Sequence, residues 1–366
     1  MKKRILSIIL TLCMAVTMVP IMPTTVTAED KCTCLIQCPY EKNKCSVCAS
    51  GGTCKGREKF VYSNGKGVED CANLQYIMDF KVASQSLYYF YLENDITLSS
   101  DLVVPNSPFY AQMVLDLNGH TINGNNKEIG IKVYGSLTII DTVGTGKITN
   151  CRHSALTIGD GGYVLMQGGT IENCIVRGGV LVSSGGTFEM TGGTIKDNRT
   201  IGLSSDKPVI MNVSVSGNAT FIIDGDAKIL NDMDESAYNG QSVDISWNSR
   251  IENNPRPVMY ANGGTIEGLV SNNGIISSIY DGKGTDFRGT LQNFGIISSG
   301  AFTHEVVNTS SYDETGTING GTFTGKVTNN GVINGGEFNA EIENTVTRYA
   351  EGSIAGGTFN SDVINQ

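Results

Sequence analysis

Cysteine is the residue type whose spacing most clearly suggests chemistry in this chain. Six of the ten cysteines lie within residues 29–56, at Cys32, Cys34, Cys38, Cys45, Cys48 and Cys54. This segment has few apolar residues, and so many thiols in a short exported segment are typical of disulfides. Cys45 and Cys48 also have the spacing of a zinc half-site, although thiolates alone would hold the metal because the segment has no histidine. We favour disulfides, and zinc stays open as the alternative.

Carboxylates suggest a second possible centre. The one acidic cluster consists of Asp224, Asp226, Asp232 and Asp234. The first two could hold calcium through carboxylate oxygens. The spacing after them does not follow an EF-hand loop, and aspartate is also common in turns, where it hydrogen-bonds its own backbone. No cofactor is therefore expected, with calcium here and zinc at the cysteines as the alternatives.

Catalytic patterns are missing from the sequence. The three histidines, His120, His153 and His304, are far apart and fall in different parts of the pattern described below. No serine sits in a G-x-S-x-G elbow. The glycine pairs do not precede helices, as phosphate-binding loops do. No catalytic residue is predicted.

A repeat between residues 263 and 365 predicts the fold that would position any site. Six copies place an apolar residue after a Gly-rich turn: Ile266, Phe287, Phe302, Phe323, Phe338 and Phe359. Each copy closes on an asparagine: Asn272, Asn293, Asn308, Asn329, Asn344 and Asn365. Both series advance by 21, 15, 21, 15 and 21 residues. A constant register in units too short to bury their own apolar residues indicates a solenoid of stacked coils, with a phenylalanine and an asparagine ladder.

The alternating step length predicts loops. Coils that share one core stack about 4.8 Å apart and need similar perimeters, so six extra residues in every second coil should protrude. The clearest cases are residues 309–314 and 345–350, while a third near Tyr280 is less clearly placed. These loops carry Tyr312 and Tyr349. Together with Trp247, the only tryptophan, these tyrosines are the candidate contacts for a glycan, since an aromatic face can stack on a sugar ring.

A looser repeat precedes the regular one. It aligns Ile148, Ile171, Ile195 and Ile229. Cys151 and Cys174 share one position in consecutive copies, which we interpret as stacked free thiols rather than a disulfide, because in-register neighbours are poorly oriented for bridging. Residues 233–260 break the rhythm and are expected to form the largest excursion.

The N-terminus predicts export. Residues 1–28 have the charged start, apolar stretch and Val-Thr-Ala end of a signal peptide, so the protein is expected to be secreted or at the cell surface, with no membrane span after cleavage. Residues 29–56 form the Cys-rich segment, 57–86 a linker and capping helix, and 87–366 the β-helix. The formal charge of −10, without a basic stripe in the sequence, argues against nucleic acid as a partner.

Two motifs carry a resemblance to a known family. The octet Leu115–Ile122 (LDLNGHTI) and the repeated GGTI and GGTF units resemble adhesin-like β-helix surface proteins of pectin-lyase-like fold, and the Cys-rich leader resembles those of Firmicutes. The resemblance implies an all-β, right-handed parallel β-helix. The expected function is an exported, non-catalytic surface protein that displays loops for a ligand such as a glycan. The alternative is a lyase or glycoside hydrolase acting on an acidic polysaccharide, although its motifs Asn-Thr-Asp, Gly-His-Gly and Arg-Ile-Lys are absent.

Overall fold

A computed structural model describes most of the chain after residue 66. The described residues are 67–79, 87–106, 112–127, 130–200, 209–232, 239–240, 242–246, 255–279, 284–347 and 350–366. The predicted signal peptide, the six N-terminal cysteines, Trp247 and Tyr349 lie outside these residues.

Three columns of parallel strands make up the fold. Sheet 1 contains β1 (Leu87–Tyr91), β4 (Gln112–Asp116), β7 (Ser136–Ile140), β10 (Tyr163–Met166), β13 (Thr187–Met190), β18 (Thr220–Ile223), β22 (Val258–Ala261), β25 (Ile275–Ser277), β28 (Ile296–Ile297), β31 (Thr317–Ile318), β34 (Val332–Ile333) and β37 (Ser353–Ile354). Sheet 3 contains β3 (Leu102–Val104), β6 (Ile131–Val133), β9 (Leu156–Ile158), β12 (Val180–Val182), β17 (Val213–Ser216), β21 (Val243–Ser246), β24 (Val270–Asn272), β27 (Leu291–Asn293), β30 (Val306–Asn308), β33 (Val327–Asn329), β36 (Ile342–Asn344) and β39 (Val363–Asn365).

Sheet 2 lies between them in chain order and is built in two parts. The first contains β2 (Ile96–Thr97), β5 (Thr121–Asn123), β8 (Lys147–Thr149), β11 (Thr170–Glu172), β14 (Thr194–Lys196), β19 (Lys228–Leu230), β23 (Thr265–Glu267) and β26 (Asp286–Arg288). The second contains β29 (Ala301–Phe302), β32 (Thr322–Phe323), β35 (Glu337–Phe338) and β38 (Thr358–Phe359). Phe287 stacks on Phe302 at 5.5 Å between ring centroids, so the column continues across the break.

The chain visits sheets 1, 2 and 3 in turn, and each circuit adds one strand to each column. Neighbouring strands within each column are parallel and in register, as in Ile148 beside Ile171 and Asn308 beside Asn329. The described chain is therefore a parallel β-solenoid, numbered here as coils 1 (β1–β3) to 12 (β37–β39). The predicted all-β solenoid is confirmed at this level.

Both predicted ladders are confirmed. The rings of Phe302, Phe323 and Phe338 stack at centroid distances of 4.9 and 4.7 Å. Asn293 donates through Nδ2 to Oδ1 of Asn308 at 2.7 Å, and Asn308 donates in the same way to Asn329. Each buried amide thus donates to the next coil and accepts from the previous one, which satisfies its hydrogen-bonding groups away from water.

The prediction of one excursion over residues 233–260 was wrong in part. β21 and β22 lie inside this range, and Val243, Ile245 and Met259 are fully buried in the core. The excursions that are described form a small sheet outside the three columns. In it β15 (Arg199–Thr200) pairs antiparallel with β16 (Val209–Ile210), which pairs parallel with β20 (Asn239–Gly240). These three strands lie outside the repeat of sheets 1 to 3, so the residue spacing gave no signal for them.

One described helix lies at the first coil. Helix α1 (Cys71–Asp79) falls within the range predicted to be helical, and it contributes Leu74 and Met78 to the core. The Gln75 side chain accepts from the N–H of Val103 at 2.8 Å and donates to its carbonyl at 3.2 Å. The helix therefore satisfies part of the open edge of β3, which would otherwise be free to pair with another strand.

Candidate ligand-binding corner

The candidate site is the loop corner, where the chain passes from sheet 3 to sheet 1 in coils 6 to 12. The hairpin of residues 309–316 leaves this corner after Asn308. Ser310 and Thr315 form an antiparallel bridge, and Gly316 donates its N–H to the Thr309 carbonyl at 2.9 Å. Tyr312 lies at the tip and is 88% exposed. The predicted loop is therefore a closed hairpin that presents an aromatic ring to solvent.

A second hairpin repeats this geometry two coils later. Val346 and Glu351 form the bridge, and Gly352 donates to Thr345 at 3.0 Å. The predicted row of two loops at one corner is thus confirmed, although Tyr349 lies outside the described residues. The extra residues near Tyr280 lie between β25 of sheet 1 and β26 of sheet 2 in the chain, which places them at a different corner.

The first hairpin is tied to the coil that follows it. Ser310 donates through its N–H to Oδ1 of Asn330 at 3.2 Å and through Oγ to the Asn330 carbonyl at 3.1 Å. Both residues are buried. These contacts hold the base of the hairpin, so the position of Tyr312 is supported by the solenoid.

Glu314 and Arg256 form an incomplete ion pair beneath the same hairpin. The Glu314 side chain is 10% exposed, and its Oε2 lies 3.9 Å from Nη1 of Arg256. This oxygen is buried and accepts no hydrogen bond within the described structure, while the same Nη1 donates to the Asn273 carbonyl at 2.8 Å. Burial raises the pKa of Glu314 and lowers that of Arg256, and the attraction between the two charges opposes both shifts.

Sequence reasoning missed both members of this pair. Glu314 belongs to a predicted loop, where an acidic residue is normally solvated, and no sequence signal marks its burial. Phe294, at the same corner one coil earlier, is half-buried. The loop corner therefore combines an exposed tyrosine, a second aromatic ring and a partly exposed guanidinium. Such groups can stack on a ring and donate hydrogen bonds to hydroxyl or carboxylate oxygens.

The predicted histidines do not converge. His120 lies in coil 2, 3.4 Å from Asp95. His153 lies in coil 3, and His304 in coil 9 contacts the hydroxyl of Thr303. The solenoid separates the three side chains because coils stack in sequence order.

The described members of the acidic cluster make separate contacts with their own neighbours. Asp224 accepts from the N–H of Gly225 at 2.7 Å, as in a turn, and Asp232 pairs with Lys196 at 2.8 Å. Within the described ranges no group of three His, Cys, Asp or Glu side chains is arranged to hold a metal ion. Asp234 and the N-terminal cysteines lie outside those ranges.

Cys151 and Cys174 are buried free thiols in consecutive coils. A hydrogen bond with Cys174, together with burial, raises the pKa of Cys151. The pair fills the core at the corner between sheets 2 and 3, as the predicted thiol ladder requires.

Comparison with protein-family models, curated proteins and solved structures found no match to this chain. Among the described residues, no helix has the length and apolar character needed to cross a membrane.

Proposed function

We propose that this protein is an exported, non-catalytic surface protein whose solenoid displays the loop corner to a glycan. The observation that carries the proposal is Tyr312, 88% exposed on a hairpin that is closed by backbone hydrogen bonds and anchored to Asn330. A solvated aromatic ring on a rigid support binds with little loss of conformational entropy. Its apolar face suits the apolar face of a sugar ring.

We also propose the handedness of the coils, the group of proteins to which the chain belongs and its location in the cell. The coils wind right-handed, because crossover connections between parallel strands of one sheet are right-handed in nearly all proteins. The protein belongs with adhesin-like β-helix surface proteins, on the strength of the GGTI and GGTF repeats, and the signal-like residues 1–28 direct it to the cell surface or medium.

A polysaccharide lyase or glycoside hydrolase is the second candidate. It is favoured by one observation, the buried Glu314 with its raised pKa beside Arg256, since perturbed carboxyl groups are common in active sites. Binding without catalysis is preferred because Oε2 of Glu314 is inaccessible to solvent as well as unpaired.

A glycan array probed with the mature protein, residues 29–366, tests the proposal. The variant Tyr312→Ala should lose binding, whereas Tyr134→Ala should retain it, because Tyr134 directly follows β6 at the same corner but lies in coil 2, seven coils before the hairpin that carries Tyr312. Equal loss in both variants, or no bound glycan, would contradict the proposal. A parallel absorbance assay for uronate cleavage separates the candidates, because turnover abolished by Glu314→Gln would establish the enzyme.

A further inference from the structure

Four basic residues occupy one corner in four consecutive coils. They are Lys127, Arg152, Arg177 and Arg199, which follow successive strands of sheet 2, namely β5, β8, β11 and β14, in coils 2 to 5. We call them the basic column. It lies between sheets 2 and 3 and is therefore separate from the loop corner, which lies between sheets 3 and 1.

Backbone contacts show that the members of the basic column are neighbours. Arg152 donates its N–H to the Lys127 carbonyl at 2.6 Å, and Arg177 donates to the carbonyl of His153 at 2.9 Å. Gly178 donates to the Arg199 carbonyl at 3.3 Å. With about 4.8 Å between coils, the four charges extend over roughly 14 Å.

The charges of the basic column have no ion-pair partner among the residues that the structure describes. Lys127, Arg152 and Arg177 are exposed and Arg199 is half-buried. In the described part of the chain none of the four forms an ion pair, and two carboxylates near the column, Glu172 at the end of β11 and Asp197 after β14, are paired with lysines instead. Glu172 pairs with Lys147 at 3.0 Å and Asp197 with Lys196 at 3.5 Å. A chain of formal charge −10 thus presents a line of positive charge that no described carboxylate pairs with.

We infer that the basic column binds a linear anionic polysaccharide, whose carboxylate or sulfate groups repeat along its length. Arginine is suited to such groups because its planar guanidinium can form two parallel hydrogen bonds to their oxygens. A single line of charges along the solenoid axis matches one extended polymer. Nucleic acid is disfavoured, because the protein is acidic overall and the column contains no aromatic ring on which bases could stack.

This binding site goes beyond the proposed function, since it recognises charge at a different corner. The test compares the double variant Arg152→Ala/Arg177→Ala with the control Arg288→Ala/Lys326→Ala. Both remove two positive charges from exposed positions, but Arg288 and Lys326 pair with carboxylates at 2.7 Å. Calorimetric titration with heparin, polygalacturonate, neutral dextran and duplex DNA, at low and high salt, gives the affinities.

We expect one of the two anionic polysaccharides to bind the wild-type protein, with an affinity that falls as salt rises. The column variant should weaken that binding roughly tenfold and the control far less, because affinity for a polyanion depends on how many of its anionic groups the protein's basic side chains neutralise. Dextran should not bind. Equal weakening by both double variants, tighter binding of DNA than of either polysaccharide, or no binding of either polysaccharide would overturn the inference. Tyr312→Ala should leave this binding unchanged, so the two sites can fail independently.

Discussion

Coils 7 to 12 and coils 1 to 6 share one architecture but use different means to build it. In the later coils, sheet 2 advances by 21 or 15 residues and stacks phenylalanine on phenylalanine from Phe287 onward. In the earlier coils the sheet 2 steps are longer and uneven, and the residues that fill the corner after sheet 2 change from a pair of cysteines, Cys151 and Cys174, to asparagines. There Cys174 donates its N–H to Oδ1 of Asn198, which lies beside Asn212.

The difference teaches that core positions keep their register even where coil length varies, since the sheet 2 isoleucines from Ile122 to Ile266 pair in register across uneven steps. An inner residue of the phenylalanine or asparagine ladder contacts a residue of its own type in the coil before it and in the coil after it. Where coil length varies, corners rely on residues that tolerate positive φ. Asn150, Asn173 and Asp197 occupy one corner position in consecutive coils with φ of 55, 60 and 55°, a conformation that short polar side chains accept more readily than others.

The largest expected effect comes from the phenylalanine ladder. Phe323→Ala should destabilise the protein by about 3–5 kcal/mol through lost burial and a residual cavity. Phe188 is equally buried but stacks on one ring only, Phe221 at 5.6 Å. Because each stacked pair adds about 0.5–1.5 kcal/mol, Phe188→Ala should cost less. Guanidinium unfolding followed by circular dichroism measures both, and an equal or reversed order would remove the distinction between the two halves.

An intermediate effect is expected from the asparagine ladder. Asn308→Ala removes the acceptor of one Asn293 N–H and one of the two donors to Oδ1 of Asn329, which still accepts from the Gly331 N–H at 3.3 Å. Leaving a buried donor unsatisfied costs about 1–3 kcal/mol. The control is Asn360→Ala, which breaks an exposed pair with Asn339 and should change stability by less than about 0.5 kcal/mol. Similar losses from both variants would show that the buried ladder has no special role.

The smallest effect concerns two buried carboxylates, one in each half. Asp116 accepts hydrogen bonds from Tyr89, from the Asn118 N–H and from Thr142, whereas Oε2 of Glu314 accepts none among the described residues. Asp116→Asn should therefore destabilise the protein. Glu314→Gln should be neutral or stabilising at pH 7, because it replaces an unsatisfied charged group with a neutral side chain of similar shape.

The pH dependence gives the sign of the Glu314 effect. Burial holds its folded-state pKa above the ordinary 4.5, so the folded protein binds this proton more tightly than the unfolded chain. Its contribution to stability is then greatest below pH 4.5 and falls as pH rises through the raised pKa. Unfolding midpoints from pH 4 to 8 should show that Glu314→Gln removes part of this fall, whereas the exposed-site control Glu305→Gln should not. An unchanged pH profile in Glu314→Gln would contradict the assignment.

Repetition decided how much of the structure could be predicted. The register of coils 7 to 12, both ladders and the hairpin carrying Tyr312 followed from residue spacing, because an insertion at a fixed phase must leave the core. The strands β21 and β22 were missed because the steps around them lengthen to 34 and 37 residues in sheet 2, which hid the match between Val243–Ser246 and Val213–Ser216. Glu314 lies beside Arg256, which is more than fifty residues earlier in the chain, so no local pattern marks the pair. The basic column was also missed, because Lys127, Arg152, Arg177 and Arg199 are 25, 25 and 22 residues apart in the sequence, and only the coils bring them together.

An experimental density map of the C-terminal coils tests the central claim most directly, since both the loop corner and the basic column depend on coil stacking. The stacked order of Phe287, Phe302, Phe323, Phe338 and Phe359 should appear as one column with successive ring centroids 5.5, 4.9, 4.7 and 5.3 Å apart. Rings dispersed among separate parts of the core, or strands that pair antiparallel, would contradict the stacked coils and the loop corner derived from them.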